Sequence, residues 1–208
     1  METMYQDWLD LARSCGATAE KADQLWRELQ AHYGAAGRHY HNLDHIADLL
    51  HRVEDHTTEL QDPTLLSLSI WYHDVIYRAW RKDNEAQSAD LARRRLRDLH
   101  LSETQIEVVA QQILATQSHQ LMNEDPDTPY LLDFDLAILG RPPADYQRYC
   151  QQIRREYRIF PDFLYRRGRV QALQHFLGRP FIFHLPTYRD RYEDQARSNL
   201  QRELEQWR

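Results

Sequence analysis

The stretch Trp71-Tyr72-His73-Asp74-Val75-Ile76-Tyr77 sets a histidine and a carboxylate side by side in an otherwise apolar or aromatic run. Leu65, Leu66, Leu68 and Ile70 precede the pair, and Val75 and Ile76 follow it. Apolar residues on every side of a helical segment imply a buried helix. A carboxylate placed there without a partner is costly and neutralises rather than staying ionised. Asp74 therefore needs a cation, and His73 supplies nitrogen chemistry beside it. The expected cation is a metal ion, with the rest of the chain arranged to supply further ligands.

The apolar period is helical throughout. Tyr5, Trp8, Leu9 and Ala12 share one face of residues 3 to 13. Thr18 reads as the N-cap of a second helix that ends near Gly34, and Gly34 to Gly37 form a turn. From about Asn42, Ile46, Leu49, Leu50 and Val53 mark a helix whose start sets whether His41 and His45 share a side. Asp62-Pro63 opens the helix holding His73 and Asp74. Arg78 to Asp83 form a polar connection, and Asn84 to Leu99 are helical. Ser102 and Gln105 make a capping box for a helix reaching about His119. Gln120 to Pro129 is an acidic loop with two prolines. A short helix, Tyr130 to Leu139, is closed by Gly140. A basic helix spans Asp145 to Phe160, and Pro161 opens another that ends at Gly178 and Pro180. Phe181 to Phe183 is the only short apolar run suited to extended structure. Thr187 and Asp190 form a capping-box pattern before a last polar helix. The expected fold is all-α, a bundle of eight to ten helices with short connections.

With 208 residues, the chain is expected to form one domain with ample length for a core. A formal charge of -6 argues against general nucleic-acid binding. Lys21 and Lys82 are the only lysines, an arginine bias that genome composition explains better than anion binding does. Cys15 and Cys150 show no pairing motif, so reduced thiols and a cytoplasmic location are the expectation. No stretch is apolar enough to span a membrane, and the N-terminal residues lack the pattern of a signal peptide.

Two histidines and two acidic oxygens from separate helices can hold a divalent ion in an open site. The candidates are His45, His73, Asp74 and one acid near residue 134. Asp133 and Asp135 point to opposite sides of a helix. Asp135 has Leu131, Leu132, Ile138 and Leu139 three and four residues away, which puts it on the apolar, core-facing stripe. Asp135 is therefore the chosen ligand, and Asp133 is left as a surface or capping acid. A lone helical histidine is usually a core or surface residue, and a buried ion pair with arginine is the bland explanation of the His-Asp pair. The combination is stronger, because three helices each present an ionisable group on an apolar side.

These residues carry a resemblance. The order His…His-Asp…Asp resembles the HD-domain superfamily of metal-dependent phosphohydrolases, which are all-helical. Tyr40-His41-Asn42-x-x-His45-Ile46-x-Asp48-Leu49 is similar to the signature of cyclic nucleotide phosphodiesterases, distant members of that superfamily. That likeness implies His41 as proton donor and His45 as a metal ligand, with His73, Asp74 and Asp135 completing the set. Nearly the whole chain also resembles a bacterial group of predicted metal-dependent phosphohydrolases. Supporting pieces are the His-Asp-x-x-Tyr segment ending at Tyr77, Asn84-Glu85-x-x-Ser88, Thr116-x-x-His119 and the segment Asp133 to Gly140.

The activity implied is hydrolysis of a phosphoester of a nucleotide or another small phosphorylated metabolite. Asp74 both binds the ion and orients or deprotonates the attacking water, and protonated His41 donates to the leaving oxygen. The ion is Mn, Fe, Co, Ni, Zn or Mg, a choice these ligands leave open. Asn84, Glu85 and His119 are candidates to support the site or meet substrate. Arg154 and Arg169 bound a basic region that can anchor phosphate, although charged helical faces are usually just solvated. Two other readings remain: a metal- or nucleotide-binding sensor without turnover, and a di-iron oxygenase needing a second metal and spare ligands such as His119.

Overall fold

The computed structural model describes residues 2–121 and 124–207. Residues 122 and 123 of the expected acidic loop lie outside the described residues. Among the described residues there are ten α-helices, one 3-10 helix and no strand, so the all-helical expectation is met. Contacts divide the chain into two compact units, Met1–Leu131 and Leu132–Arg208, where the sequence suggested one domain. The division falls inside a helix.

The first unit holds α1 (Glu2–Ser14), α2 (Ala19–Tyr33), α3 (Leu43–Asp55), α4 (Pro63–His73), α5 (Asn84–Arg97) and α6 (Glu103–Ala115). The helix that crosses the division, α7 (Thr128–Leu136), begins two residues earlier than its sequence pattern suggests. Starts follow the expected caps. Thr18 Oγ1 accepts from Lys21 N, Asp62 accepts from Leu65 N, and Ser102 and Gln105 close their box.

Trp8, Trp26, Trp71 and Tyr72 form the aromatic centre of this unit, packed edge to face. Such pairs add to the large apolar area each ring buries. Trp8 Nε1 donates to Ala22 O, tying α1 to α2. Tyr33 Oη donates to Trp71 O at 2.9 Å. That bond satisfies a carbonyl left over at the end of α4 and pins α2 against it.

Other helix boundaries also depart from the sequence reading, four of them around the candidate residues or the last helix. Asp74 is not in a helix: α4 ends at His73 and Asp74 is its C-cap, with φ -111°. His41 precedes the N-cap Asn42, so it lies outside α3. The helix leading to His119 stops at Ala115, and His119 adopts a left-handed φ of 49°. The Thr187–Asp190 box does not form at the start of the last helix, whose N-cap is Leu185 with Pro186 at the first position.

The second unit contains a 3-10 turn (Ala137–Gly140), α8 (Pro143–Glu156), α9 (Asp162–Leu177) and α10 (Pro186–Gln206). Its Phe181–Phe183 run does not pair as a strand, because carboxylates take its N–H groups. Glu193 accepts from Ile182 N and Phe183 N, and Asp133 accepts from His184 N and Leu185 N. Gly140 lies so close to α10 that an added Cβ would stand 2.7 Å from Tyr192 O. Asn199 Nδ2 donates to the Leu139 and Arg141 carbonyls at 2.8 and 2.9 Å, binding the same turn.

Candidate metal centre

Three imidazoles meet one carboxylate oxygen at the end of α4. Asp74 Oδ2 stands 3.1 Å from His73 Nε2, 3.9 Å from His45 Nε2 and 4.0 Å from His41 Nε2. His45 and His73 are buried, with 6% and 1% of their surface exposed, whereas His41 and Asp74 are half-buried. The centre thus has a closed wall of nitrogen and an oxygen and proton group nearer solvent.

Each side chain is placed by local structure. Asn42 Oδ1 accepts from Asp44 N and His45 N, so α3 begins in time to present His45 from its first turn. His73 occupies the last position of α4 and Asp74 turns the chain out of it. His41 stacks on the Tyr77 ring with centroids 4.2 Å apart. Arg38 reaches across with Nη1 to the His41 and Asp74 carbonyls and Nη2 to the Val75 carbonyl, at 3.0, 2.6 and 2.7 Å. Its guanidinium thereby fixes backbone, while the Asp74 carboxylate faces imidazoles.

The His73 tautomer follows from its surroundings. Its Nδ1 is 2.8 Å from Ile70 O, an atom that only accepts, so Nδ1 carries the proton. The Nε2 atom then faces the Asp74 oxygen at 3.1 Å. A proton or a shared metal cation between the two atoms satisfies that approach. Donor atoms about 2.0–2.2 Å from one ion sit roughly 3 Å apart when adjacent, so this separation suits shared coordination. An imidazole holding a backbone carbonyl through its other nitrogen is also the usual form of a metal-bound histidine.

α7 adds one more acid. His45, His73 and Asp135 each offer a ligand atom within 4.8 Å of the others, a group able to hold a metal ion. The choice of Asp135 over Asp133 agrees with this group, but the burial argument behind it is reversed. Asp133 is fully buried and Asp135 only half-buried. Asp133 is a capping acid, as one branch of the expectation had it, yet it is not at the surface and it caps the approach to α10 rather than its own helix. Burial pushes its carboxyl up to about 7, against the pull of the His184 and Leu185 N–H groups.

The supporting residues divide. Glu85 is half-buried, and burial raises its carboxyl. Asp74 raises it further, while His119 and His73 lower it, so Glu85 and His119 share the field of the centre. Asn84 bonds Arg78 through both backbone groups, at 3.0 Å each. One turn later, Ser88 accepts from Ile76 N and donates to Ile76 O. Asn84 and Ser88 therefore clamp the loop that follows Asp74. In the second unit, Arg169 makes a two-pronged bond to the buried Glu203 at 2.8 and 2.9 Å. Arg154 is held by Asp162 and by the Tyr157 and Phe160 carbonyls. Of the two guanidinium groups named as phosphate anchors, Arg169 ties α9 to α10 and Arg154 holds the end of α8 to the start of α9.

Sequence reasoning missed Arg38 as a builder of this wall, and it singled out Tyr77 without assigning it a contact. Arg38 directly precedes the histidine segment, and its density of donors was the one available signal. Cys15 and Cys150 are free thiols, and among the described residues no helix is long and apolar enough to cross a membrane. Comparison with protein-family models, with curated proteins and with solved structures finds no match in any of the three.

Proposed function

We propose that this chain is a metal-dependent phosphohydrolase of the HD type, cleaving a phosphoester of a nucleotide or another small phosphorylated metabolite. The observation that carries the reading is the convergence of the His41, His45 and His73 Nε2 atoms on Asp74 Oδ2. His45, His73, Asp74 and Asp135 would hold one divalent ion. Such an ion supplies charge against the phosphoryl oxygens and makes water acidic enough to react near neutral pH.

The chain's own groups do the rest. The Ile70 carbonyl keeps the His73 lone pair aimed inward. Arg38, bonded to the His41, Asp74 and Val75 carbonyls, holds the proton donor and the carboxylate in register. Asp74, half-buried at the helix end, orients the attacking water and accepts its proton. His41 is half-buried too, and its stacking on Tyr77 fixes the ring plane from which Nε2 can give a proton to the leaving oxygen.

The test is turnover of a panel of nucleotides and phosphomonoesters by metal-loaded protein. His73→Ala and Asp74→Ala abolish turnover in this reading, and His41→Gln lowers kcat by about 10²–10⁴ while leaving the metal bound. Undiminished turnover in His73→Ala and Asp74→Ala would remove the proposal.

A further inference from the structure

The arginine-rich stretch of the second unit divides by what its side chains touch. Residues 154 to 169 hold six arginines against two acids, Glu156 and Asp162. Glu203 takes Arg169, Asp162 takes Arg154, and Glu156 is buried. Arg155, Arg158 and Arg167 are exposed and form no ion pair among the described residues.

The same stretch leaves three large apolar side chains in water. Ile159 is 55% exposed, Phe163 70% and Leu164 45%. Ile159 lies in the turn between α8 and α9, and Phe163 and Leu164 lie in the first turn of α9. Phe163 and Arg167 are four residues apart in α9 and share one side of it. This corner is fastened from beneath. Arg154 donates to the Tyr157 and Phe160 carbonyls and to Asp162, and its guanidinium lies over the Tyr165 ring at 4.7 Å. Tyr165 packs in turn on Tyr157 and Trp207. The three exposed side chains take no part in that fastening, and exposed apolar clusters mark contact surfaces.

We propose that this corner docks onto an anionic lipid surface. Ile159, Phe163 and Leu164 enter the boundary between headgroups and acyl chains, while Arg155, Arg158 and Arg167 meet the acidic headgroups. The contact is with the surface alone, since no described helix is long and apolar enough to cross a membrane.

Charge complementarity selects this occupant. A symmetric pairing of two copies through the same patch sets arginine against arginine. A nucleic acid answers the arginines but leaves the apolar side chains against phosphates. A lipid surface serves both groups at once, because it is negative outside and apolar just beneath. It also receives a protruding corner without a matching hollow. The three side chains do not line the cavity of about 470 Å³ in this unit, the hollow that a peptide or small molecule would fill.

The experiment sediments the 208-residue protein with vesicles of phosphatidylcholine containing phosphatidylserine, and with vesicles of phosphatidylcholine alone. Binding to the anionic vesicles that weakens with added salt is the expected result. Phe163→Ser weakens it roughly tenfold, and replacing Arg155, Arg158 and Arg167 together by Gln weakens it on the order of a hundredfold. Phe181→Ser, a change at an exposed apolar residue away from the corner, leaves it unchanged. All these positions are exposed, and circular dichroism verifies that each variant is folded. No sedimentation with anionic vesicles, equal binding to both kinds of vesicle, or binding undiminished in the corner variants overturns the proposal. A dimer that Phe163→Ser dissociates, without vesicle binding, gives the corner to a second copy instead. Capture by poly-glutamate without vesicle binding gives it to an acidic protein, and either result overturns the lipid assignment. The proposal does not depend on the chemistry of the histidine centre.

Discussion

Asp133 and Asp135 stand two residues apart on α7 and serve different chemistry. Asp133 is buried and spends its carboxylate on the N–H groups of His184 and Leu185. Burial raises its folded-state value to about 7 from an ordinary carboxylate value near 3.8. Between those values the folded protein keeps a proton that the unfolded chain releases, so stability from this group falls as pH rises. Thermal unfolding across pH 4 to 7 is expected to show that decline in the parent and a flatter profile in Asp133→Asn. Equal slopes in the two proteins would contradict it. Asp135 is chosen as a candidate ligand from its apolar neighbours three and four residues away, and it falls in a group able to hold a metal ion. Its half-burial was not legible, because neighbours three and four residues away say which stripe a residue occupies but not how thickly that stripe is covered. His73 was legible as a nitrogen donor. The proton on its Nδ1 was not, since the Ile70 carbonyl that sets it is known only from coordinates.

At the scale of elements, α4 and α5 together make the platform for Asp74. The first ends at His73, and the second sends Asn84 and Ser88 back to hold Ile76 and Arg78. Ser88→Ala leaves the half-buried Ile76 N–H without this partner, which costs about 0.5–1.5 kcal/mol. Urea unfolding is the check, and a change below a few tenths of a kcal/mol would show the clamp to be idle. Gly140→Ala meets the Tyr192 backbone and is expected to destabilise the second unit by roughly 1–3 kcal/mol, again read from unfolding. Most boundaries were legible because caps are local: Thr18, Asp62 and Ser102 each act on an N–H three residues on. The start of α10 was not legible. A carboxylate some 50 residues upstream, Asp133, serves the N–H groups there, and no local pattern announces it.

For the whole molecule, the helical class was readable from periodicity alone, since each helix declares its apolar face within a few turns. The division into two units was not, because it falls between Leu131 and Leu132 within a helix that has no linker composition. The centre ties residues from α3, the end of α4 and the segment before α3, so an ion held there would link them in the folded state only. A ligand at about 100 times its dissociation constant stabilises a protein by about 2.7 kcal/mol. Divalent metal is therefore expected to raise the unfolding temperature of the parent and not that of Asp74→Ala. The most direct measurement is the metal content of chelator-treated protein re-equilibrated with Mn²⁺ or Zn²⁺ and washed free of excess. One ion per chain in the parent, and a loss of that ion in His73→Gln and Asp74→Asn that remain folded, is the expected result. A parent that retains no ion, or variants that retain as much as the parent, would contradict the shared metal centre.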